Sequence, residues 1–378
     1  MFFRDPNDVD IDDTAFGPDM AHQIFGEKEN IFGYKDLQIN VFCSAGPLDF
    51  FYEVKHSKKV DDIPNNNGLK ADNVNVITDF FPNGYYTNLE EFTSVMEKKA
   101  KSFEPPGEMI HEFKSDGRTF QIYLCESSTA NFQQYHARLE SFIFWYIDAS
   151  SRIEHDDRWR FFVVFEKFEN KDGETRYASV GYASAYIYFH YPDKIRPRVA
   201  QFLILPPFQR KGVGSTLLNK IYEHFRAQEK VCDITVEDAS EEFQRLRNTI
   251  DCRLLKTLPS FSAESLKKGF CTVMAQEAKE KFKINPKQSR IIYEILRLSV
   301  TKTESKNDDY KAYRLDVKKR LNMNFLKEKR DLKKLADRGF KIPADKKLSL
   351  PSVEENMEQL DGMYKETEEY YRGVLERI

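Results

Sequence analysis

Gln209-Arg210-Lys211-Gly212-Val213-Gly214, continued by Ser215, stands between an aliphatic run, RVAQFLIL (198–205), and an amphipathic segment. Leu217, Leu218, Ile221 and Phe225 line one face of that segment at helical spacing. A turn from strand to helix points successive backbone N–H groups at one spot, and the helix N-terminus adds partial positive charge. Gly212 and Gly214 have no Cβ, so the main chain can approach an anion closely, while Arg210 and Lys211 bring charge for phosphate oxygens. The physical reading is a diphosphate cradle. The spacing of a Walker loop is absent, and Leu217 fills the last position of G-x-G-x-x-G. The hexapeptide by itself is equally compatible with a glycine-rich helix cap that holds no ligand.

The surrounding elements sharpen this. Strand 198–205, a helix from Gly214 to about Ala227 and a strand Val231–Glu237 form a βαβ unit. A right-handed crossover makes the two strands parallel, so the C-terminal end of the second lies on the same rim as the glycine loop. Open α/β sheets bind ligands at that rim. Glu237 and Asp238 stand there.

The rest of the chain reads as follows. Residues 1–35 are acidic and irregular, with Gly17, Pro18, Gly26 and Gly33 as breakers. Leu37–Cys43 and Phe50–Val54 are β-prone, 61–73 is a polar loop, and Asn88 caps a helix to Lys101 with Glu91 three residues on. Thr119–Leu124 alternates like a strand. From Ser128 to about Ala149, Phe132, Tyr135, Leu139, Phe142, Ile143 and Tyr146 recur at steps of three and four, which predicts one long helix. RFFVVFEKF (160–168) and RYASVGYASAYIYFHY (176–191) flank an Asp-Gly turn, with Gly181 a bulge or bend. Helices are expected over Ser240–Ile250, Ser262–Phe282, Pro286–Val300, Tyr310–Leu321 and Val353–Ile378.

Composition bounds the class. At about 100–200 residues per domain, 378 residues hold two or three. A 14% aromatic share, with 31 Phe and 19 Tyr, calls for packed cores, not disorder. The net charge of -3 argues against a globally basic nucleic-acid binder. Lys and Arg between 310 and 347 alternate with Leu, Tyr and acids as on a solvated helix face. No apolar run is long enough to span a bilayer, and the acidic N-terminus lacks a secretory pattern. Cys43, Cys125, Cys232, Cys252 and Cys271 show no metal-binding spacing and read as reduced, buried thiols.

The order Q-x-x-G-x-G after an aliphatic strand resembles the acetyl-CoA loop of the GCN5-related N-acetyltransferase superfamily. IFGYKDL (31–37), FVVFEK (162–167), YPDKIRPRVAQFLILPPFQRKGVG (191–214), DITVEDAS (233–240), FKIN (282–285) and YEILRL (293–298) together resemble the family of type B histone acetyltransferase catalytic subunits. The resemblance runs from about residue 22 to the C-terminus. It implies an α+β chain in three parts. Residues 1–115 would be a mixed α/β domain contributing to histone-tail binding. Residues 116–255 would be the acetyltransferase domain, a mixed twisted sheet flanked by helices, and 256–378 a helical domain. It implies acetyl-CoA as cosubstrate without a metal, the N-terminal tail of newly made histone H4 (with H3) as substrate, a WD40-repeat histone chaperone as partner, and cytoplasmic and nuclear residence.

The same resemblance assigns roles. A lysine with a pKa of about 10.4 is an ammonium at neutral pH, so attack on a thioester needs a general base. A carboxylate beside an apolar strand and another carboxylate suits that task. Glu237 is the first choice, and the family's E-D pair falls on Glu237 and Asp238. Its third acid falls on Asp148, where the family often has Glu, one methylene longer. The main chain of Phe202, Leu203 and Ile204 is expected to bond pantetheine and supply an N–H to the thioester oxygen. Histone contacts are implied at Glu27, Lys28 and Glu29, Lys28 replacing a common acid, and at Tyr186, Ile187 and Tyr188. Glu154, Asp156 and Asp157 are candidates from charge alone, for which a solvated loop is the plainer reading. Two other functions stay in view: acetyl transfer to a different amine, and a histone-binding module with weak activity.

Overall fold

The computed structural model describes residues 2–3, 15–82, 84–301, 308–338 and 352–378. Two compact units divide the chain, residues 1–238 and 239–378.

The first unit is built on a six-stranded sheet. Its strands are β6 (Glu108–Ser115), β7 (Arg118–Glu126), β8 (Trp159–Glu169), β9 (Thr175–His190), β10 (Lys194–Ile204) and the short β11 (Thr235–Val236). They lie in the order β11-β10-β9-β8-β7-β6, antiparallel except for β10 with β11. That parallel pair with helix α5 (Val213–Arg226) between is the expected crossover. Leu217, Leu218, Ile221 and Phe225 of α5 and Phe161–Phe165 of β8 have no exposed surface, so an apolar helix face meets a strand buried on both sides. A short helix α1 (His22–Phe25) comes early in the chain, a smaller sheet pairs β1 (Phe2–Phe3), β3 (Gln38–Ser44) and β4 (Phe50–Lys55), and β2 (Tyr34–Lys35) pairs with β5 (Lys58–Lys59). Phe42 and Phe51 from that sheet pack with Phe92 and Met96 of helix α2 (Leu89–Ser102). The Asn88 side chain caps α2 by accepting from the Glu91 N–H.

The second unit is helical: Glu241–Leu255, Ala263–Lys267, Thr272–Phe282, Pro286–Ser299, Asp308–Leu321, Met323–Asp337 and Val353–Leu375. All of them except Met323–Asp337 contribute side chains to one apolar core. Glu294 is fully buried within it, held by the Arg290 and Arg320 guanidiniums and the Tyr371 hydroxyl.

Several expectations need correcting. The hairpin β6–β7 lies in the main sheet, so a boundary after 115 falls in its turn. Helix Glu241–Leu255 belongs to the second unit, so the chain divides after 238 and not after 255. The long helix expected over 128–149 is broken into α3 (Phe132–Leu139) and α4 (Ile143–Tyr146). Between them the turn tightens, with Ser141 and Phe142 N–H bonding the carbonyls three residues back and the Ser141 hydroxyl donating to Phe80 O at 2.7 Å. The helix expected over 262–282 is interrupted at Gly269, whose φ is +101°. Cys43, Cys125 and Cys252 are buried as free thiols, but Cys232 is half-buried and Cys271 exposed. Of the basic stretch 310–347, residues 339–347 lie outside the described residues. Among the described residues no helix is long and apolar enough to cross a membrane.

Gly181 adopts a φ of +151° at the register shift between β8 and β9. A Cβ there would lie 2.1 Å from the Leu203 carbonyl oxygen and 2.9 Å from the Ile204 Cα, both backbone atoms of β10. The absent side chain is what lets β9 close on β10. Gly181→Ala is therefore expected to cost about 1–3 kcal/mol of stability, read from urea unfolding; an unchanged midpoint would contradict the close approach.

Candidate active site

Strands β10 and β11 are joined at one end and part at the other. Arg196 grips the buried Asp233 with Nε to Oδ1 at 2.6 Å and Nη2 to Oδ2 at 2.9 Å. Arg198 and Val199 then pair with Thr235 and Val236, and the Glu237 N–H donates to Val199 O at 2.9 Å. Beyond this point β10 bulges. Its register against β9 shifts between Val199 and Phe202, and the Gln201 N–H bonds the Ser184 hydroxyl. Gln201 and Leu205 direct their N–H groups at β9, so strand alternation turns the main chain of Phe202 and Ile204 to the open edge, while Leu203 is buried. That edge carries main-chain groups of the kind an extended amide-bearing ligand bonds, with the Ile204 carbonyl accepting from the Gln209 side chain in this structure.

The glycine loop follows directly. Arg210 and Gly212 both have left-handed backbones, φ +60° and +72°, and Gly212 is the N-cap of α5. Thr216 is the first residue whose N–H closes onto the loop, at Gly212 O. The N–H groups of Val213, Gly214 and Ser215 have no acceptor within the helix. The buried Val213 side chain anchors this end. A Cβ on Gly212 would find only Ser115 Oγ, at 3.7 Å, so its glycine answers to backbone conformation more than to space. Gln209 turns inward and donates to Ile204 O at 2.9 Å. Of the two cations, Arg210 is exposed, whereas the Lys211 ammonium turns back to Pro207 O at 2.9 Å and lies 3.7 Å from Asp116. Lys211 braces the loop in this structure.

The acidic candidates lie in two places, Glu237 and Asp238 where β11 ends and Asp148 in the turn after α4. Glu237 projects from the parting of the strands, about half exposed, with the Arg198 guanidinium 3.9 Å away. The apolar surround expected for it is replaced by a cation and solvent. Asp238 follows, exposed, with φ +25°. Asp148 lies past α4 in a turn, not on a helix, and its carboxylate is bonded by His22 Nε2 at 2.9 Å. Gln201 donates to Ser151 O at 2.9 Å, so β10 holds the chain three residues beyond Asp148.

The substrate candidates divide in the same way. Tyr186 and Tyr188 lie opposite Arg198 and Arg196 on one face of the sheet, and the Arg198 guanidinium sits over the Tyr188 ring at 4.6 Å. Arg198 thus connects Tyr188 with Glu237. The Tyr186 hydroxyl donates to Asp156 at 3.1 Å, which brings one acid of the 154–157 loop into this cluster. Ile187 alternates to the other face. Glu29 accepts from the Ala21 and His22 N–H groups and stands beside His22, and Glu27 and Lys28 are exposed next to it. Sequence reasoning missed Arg198, Gln201 and His22. Cross-strand pairing with Tyr186 could have found Arg198; no local spacing signals His22, 126 residues from Asp148.

Comparison with known proteins covers nearly the whole chain. Residues 1–148 match the family model of the histone acetyl transferase HAT1 N-terminus, 120–246 that of the acetyltransferase (GNAT) family, and 247–298 that of the histone acetyltransferase type B catalytic subunit, C-terminal. The histone acetyltransferase type B catalytic subunit of Homo sapiens is 41% identical over 99% of this chain and 90% of its own length. The protein of that name from Rattus norvegicus is 41% identical over the same shares, and one from Dictyostelium discoideum is 32% identical over 85% of this chain and 67% of its own.

Beneath the bulge lies Glu140, buried. It accepts from the Ile153 N–H at 2.7 Å, with the Gln201 side chain beside it. Arg152, His136 and Tyr182 are the other titratable or charged groups that face it. Burial raises its carboxyl to about 7, against the opposing pull of the Ile153 N–H and Arg152. Between the ordinary glutamate value of about 4.3 and that point, the folded chain holds a proton that the unfolded chain has lost. Stability from this group therefore falls as pH rises through that interval and is level above it. Glu140→Gln removes the dependence. Urea unfolding should show the variant gaining on the parent between about pH 4 and about pH 7; a pH-independent difference would contradict the buried, protonated acid.

Proposed function

We infer the chemistry of this chain from the premise that it belongs to the family of type B histone acetyltransferase catalytic subunits. It is a histone acetyltransferase, and its acetyltransferase domain uses acetyl-CoA. The finer reading is that it acetylates lysine side chains in the N-terminal tail of newly made histone H4, by direct attack within a ternary complex. Its proposed partners are H4 with H3 and a WD40-repeat histone chaperone, in cytoplasm and nucleus.

The observation that carries this reading is the parting of β10 from β11 with Glu237 at the fork. The residues there fit acetyl-CoA. Arg210 and the N–H groups around Gly212, Val213, Gly214 and Ser215 suit a diphosphate, and the main chain of Phe202 and Ile204 suits pantetheine amides. When bound, acetyl-CoA supplies the acetyl group as a thioester. Glu237 takes the proton from the incoming lysine, directly or through water. Arg198 keeps Glu237 beside Tyr188, and Tyr186 and Tyr188 with Asp156 offer aromatic faces and an acid to a basic tail. Glu27 and Glu29 extend acidic surface near Asp148, and Lys28 interrupts it. The openness of Asp148, 73% exposed, favours as a second reading a histone-binding module with weak transfer.

Labelled acetyl-CoA with an H4 tail peptide separates the readings: transfer supports the enzyme, binding without transfer the module. Glu237→Gln keeps shape and loses basicity. It should lower kcat/KM at neutral pH by roughly 10²–10⁴ and leave acetyl-CoA affinity unchanged. Activity should partly return at high pH, where more lysine is already neutral. Near-normal activity at neutral pH would move the role to Asp148 or Asp238.

A further inference from the structure

Asp148 is poorly placed to do chemistry unaided. It stands beyond α4, next to Ala149 in a left-handed backbone of φ +52°, with 73% of its side chain in solvent. Its Oδ1 accepts from the Ala149 N–H at 2.8 Å, a local bond that fixes the turn but leaves the carboxylate free to swing toward water. A short acid in this setting has no definite direction without a long-range partner.

That partner comes from the N-terminal segment. His22 Nε2 lies 2.9 Å from Asp148 Oδ1, and since an ionised carboxylate only accepts, the ring N–H donates. His22 is itself fixed from several sides. The N–H groups of Asp19 and Met20 both bond Trp145 O, and Gln23 Nε2 bonds Phe144 O and Ile147 O. Glu29 Oε1 accepts the Ala21 and His22 N–H groups and lies 3.7 Å from His22 Nδ1. Residues 19–29 are thus stitched along 144–148, and the imidazole, about one quarter exposed, is delivered to the carboxylate between two acids.

We propose that His22 is the positioning residue for Asp148: its imidazole, held by the docked segment and Glu29, aims the carboxylate at the transfer site and makes up the reach that the aspartate lacks. This rests on the reading of Asp148 as an acid that takes part in transfer. It also gives the segment 19–29 a task besides contact with the histone tail, since the segment completes the site it borders.

Steady-state kinetics on the full chain, with acetyl-CoA and H4 tail peptide, test this through His22→Ala, His22→Gln, Asp148→Asn, Asp148→Glu and the two double variants that join His22→Ala to each Asp148 change. His22→Ala should lower kcat by roughly ten- to a hundredfold, with KM for acetyl-CoA unchanged. His22→Gln, whose Nε2 can still donate, should retain most of the activity. His22→Ala with Asp148→Asn should be no slower than the worse single variant, because the two act as one unit. Asp148→Glu should restore part of the kcat lost in His22→Ala, since the longer acid needs less help to reach. A purely structural role for His22 would raise both KM values and show no such rescue. Unchanged kcat in His22→Ala, or losses that multiply with Asp148→Asn, would overturn the proposal while leaving Asp148 its role. Unchanged activity in Asp148→Asn would overturn the role of Asp148, and this proposal with it.

Discussion

The fork between β10 and β11 is the constraint on which the first unit depends. Below it, Arg196 and Asp233 lock the two strands with a bidentate pair, and a short parallel ladder carries them as far as Val199 and Val236. Above it, the bulge at residues 200–201 keeps β10 bonded to β9 while its other edge is no longer paired with β11. A backbone edge left open inside a protein must find partners or stay wet. Here it leads through residues 205–211 to the helix N-terminus at Gly212, so the outward-turned main chain of β10 and the N–H groups that open α5 follow one another along the chain. The close approach of β9 at Gly181 and the polar plug of Gln201, Tyr182 and Glu140 hold the bulge in place.

The two acids assigned to the transfer chemistry, Glu237 and Asp148, are tethered, not buried. Glu237 is fixed through its own N–H and steadied by Arg198, and Asp148 is fixed through His22. A different buried carboxyl, Glu140, lies beneath the bulge beside Gln201 and accepts from the Ile153 N–H. This separates the groups that must meet a cationic, solvated lysine from the group that sets the shape around them.

What was legible in the sequence follows from the range of the interactions involved. The Asn88 cap, the Asp-Gly hairpin, the apolar face of α5 and the turn at Gly212 rest on residues within a few positions of each other, and each stands where spacing predicts it. The placement of Glu237 on the same rim as the glycine loop followed from crossover handedness alone. The break between α3 and α4 was hidden because Ser141 answers to Phe80, sixty-one residues away, and the helical period runs through it undisturbed. The inward turn of Lys211 was hidden for a similar reason, since Asp116 and Pro207 O claim its ammonium. A charge in a motif shows that a cation is present, but not which way it points.

Amide hydrogen exchange with and without acetyl-CoA tests the fork most directly, because the claim concerns main-chain groups that no side-chain substitution reads. The account predicts slowed exchange on acetyl-CoA binding at Phe202 and Ile204 and at residues 210–215, with β6 to β8 unchanged. Protection absent from both stretches, while acetyl-CoA binds, would contradict it.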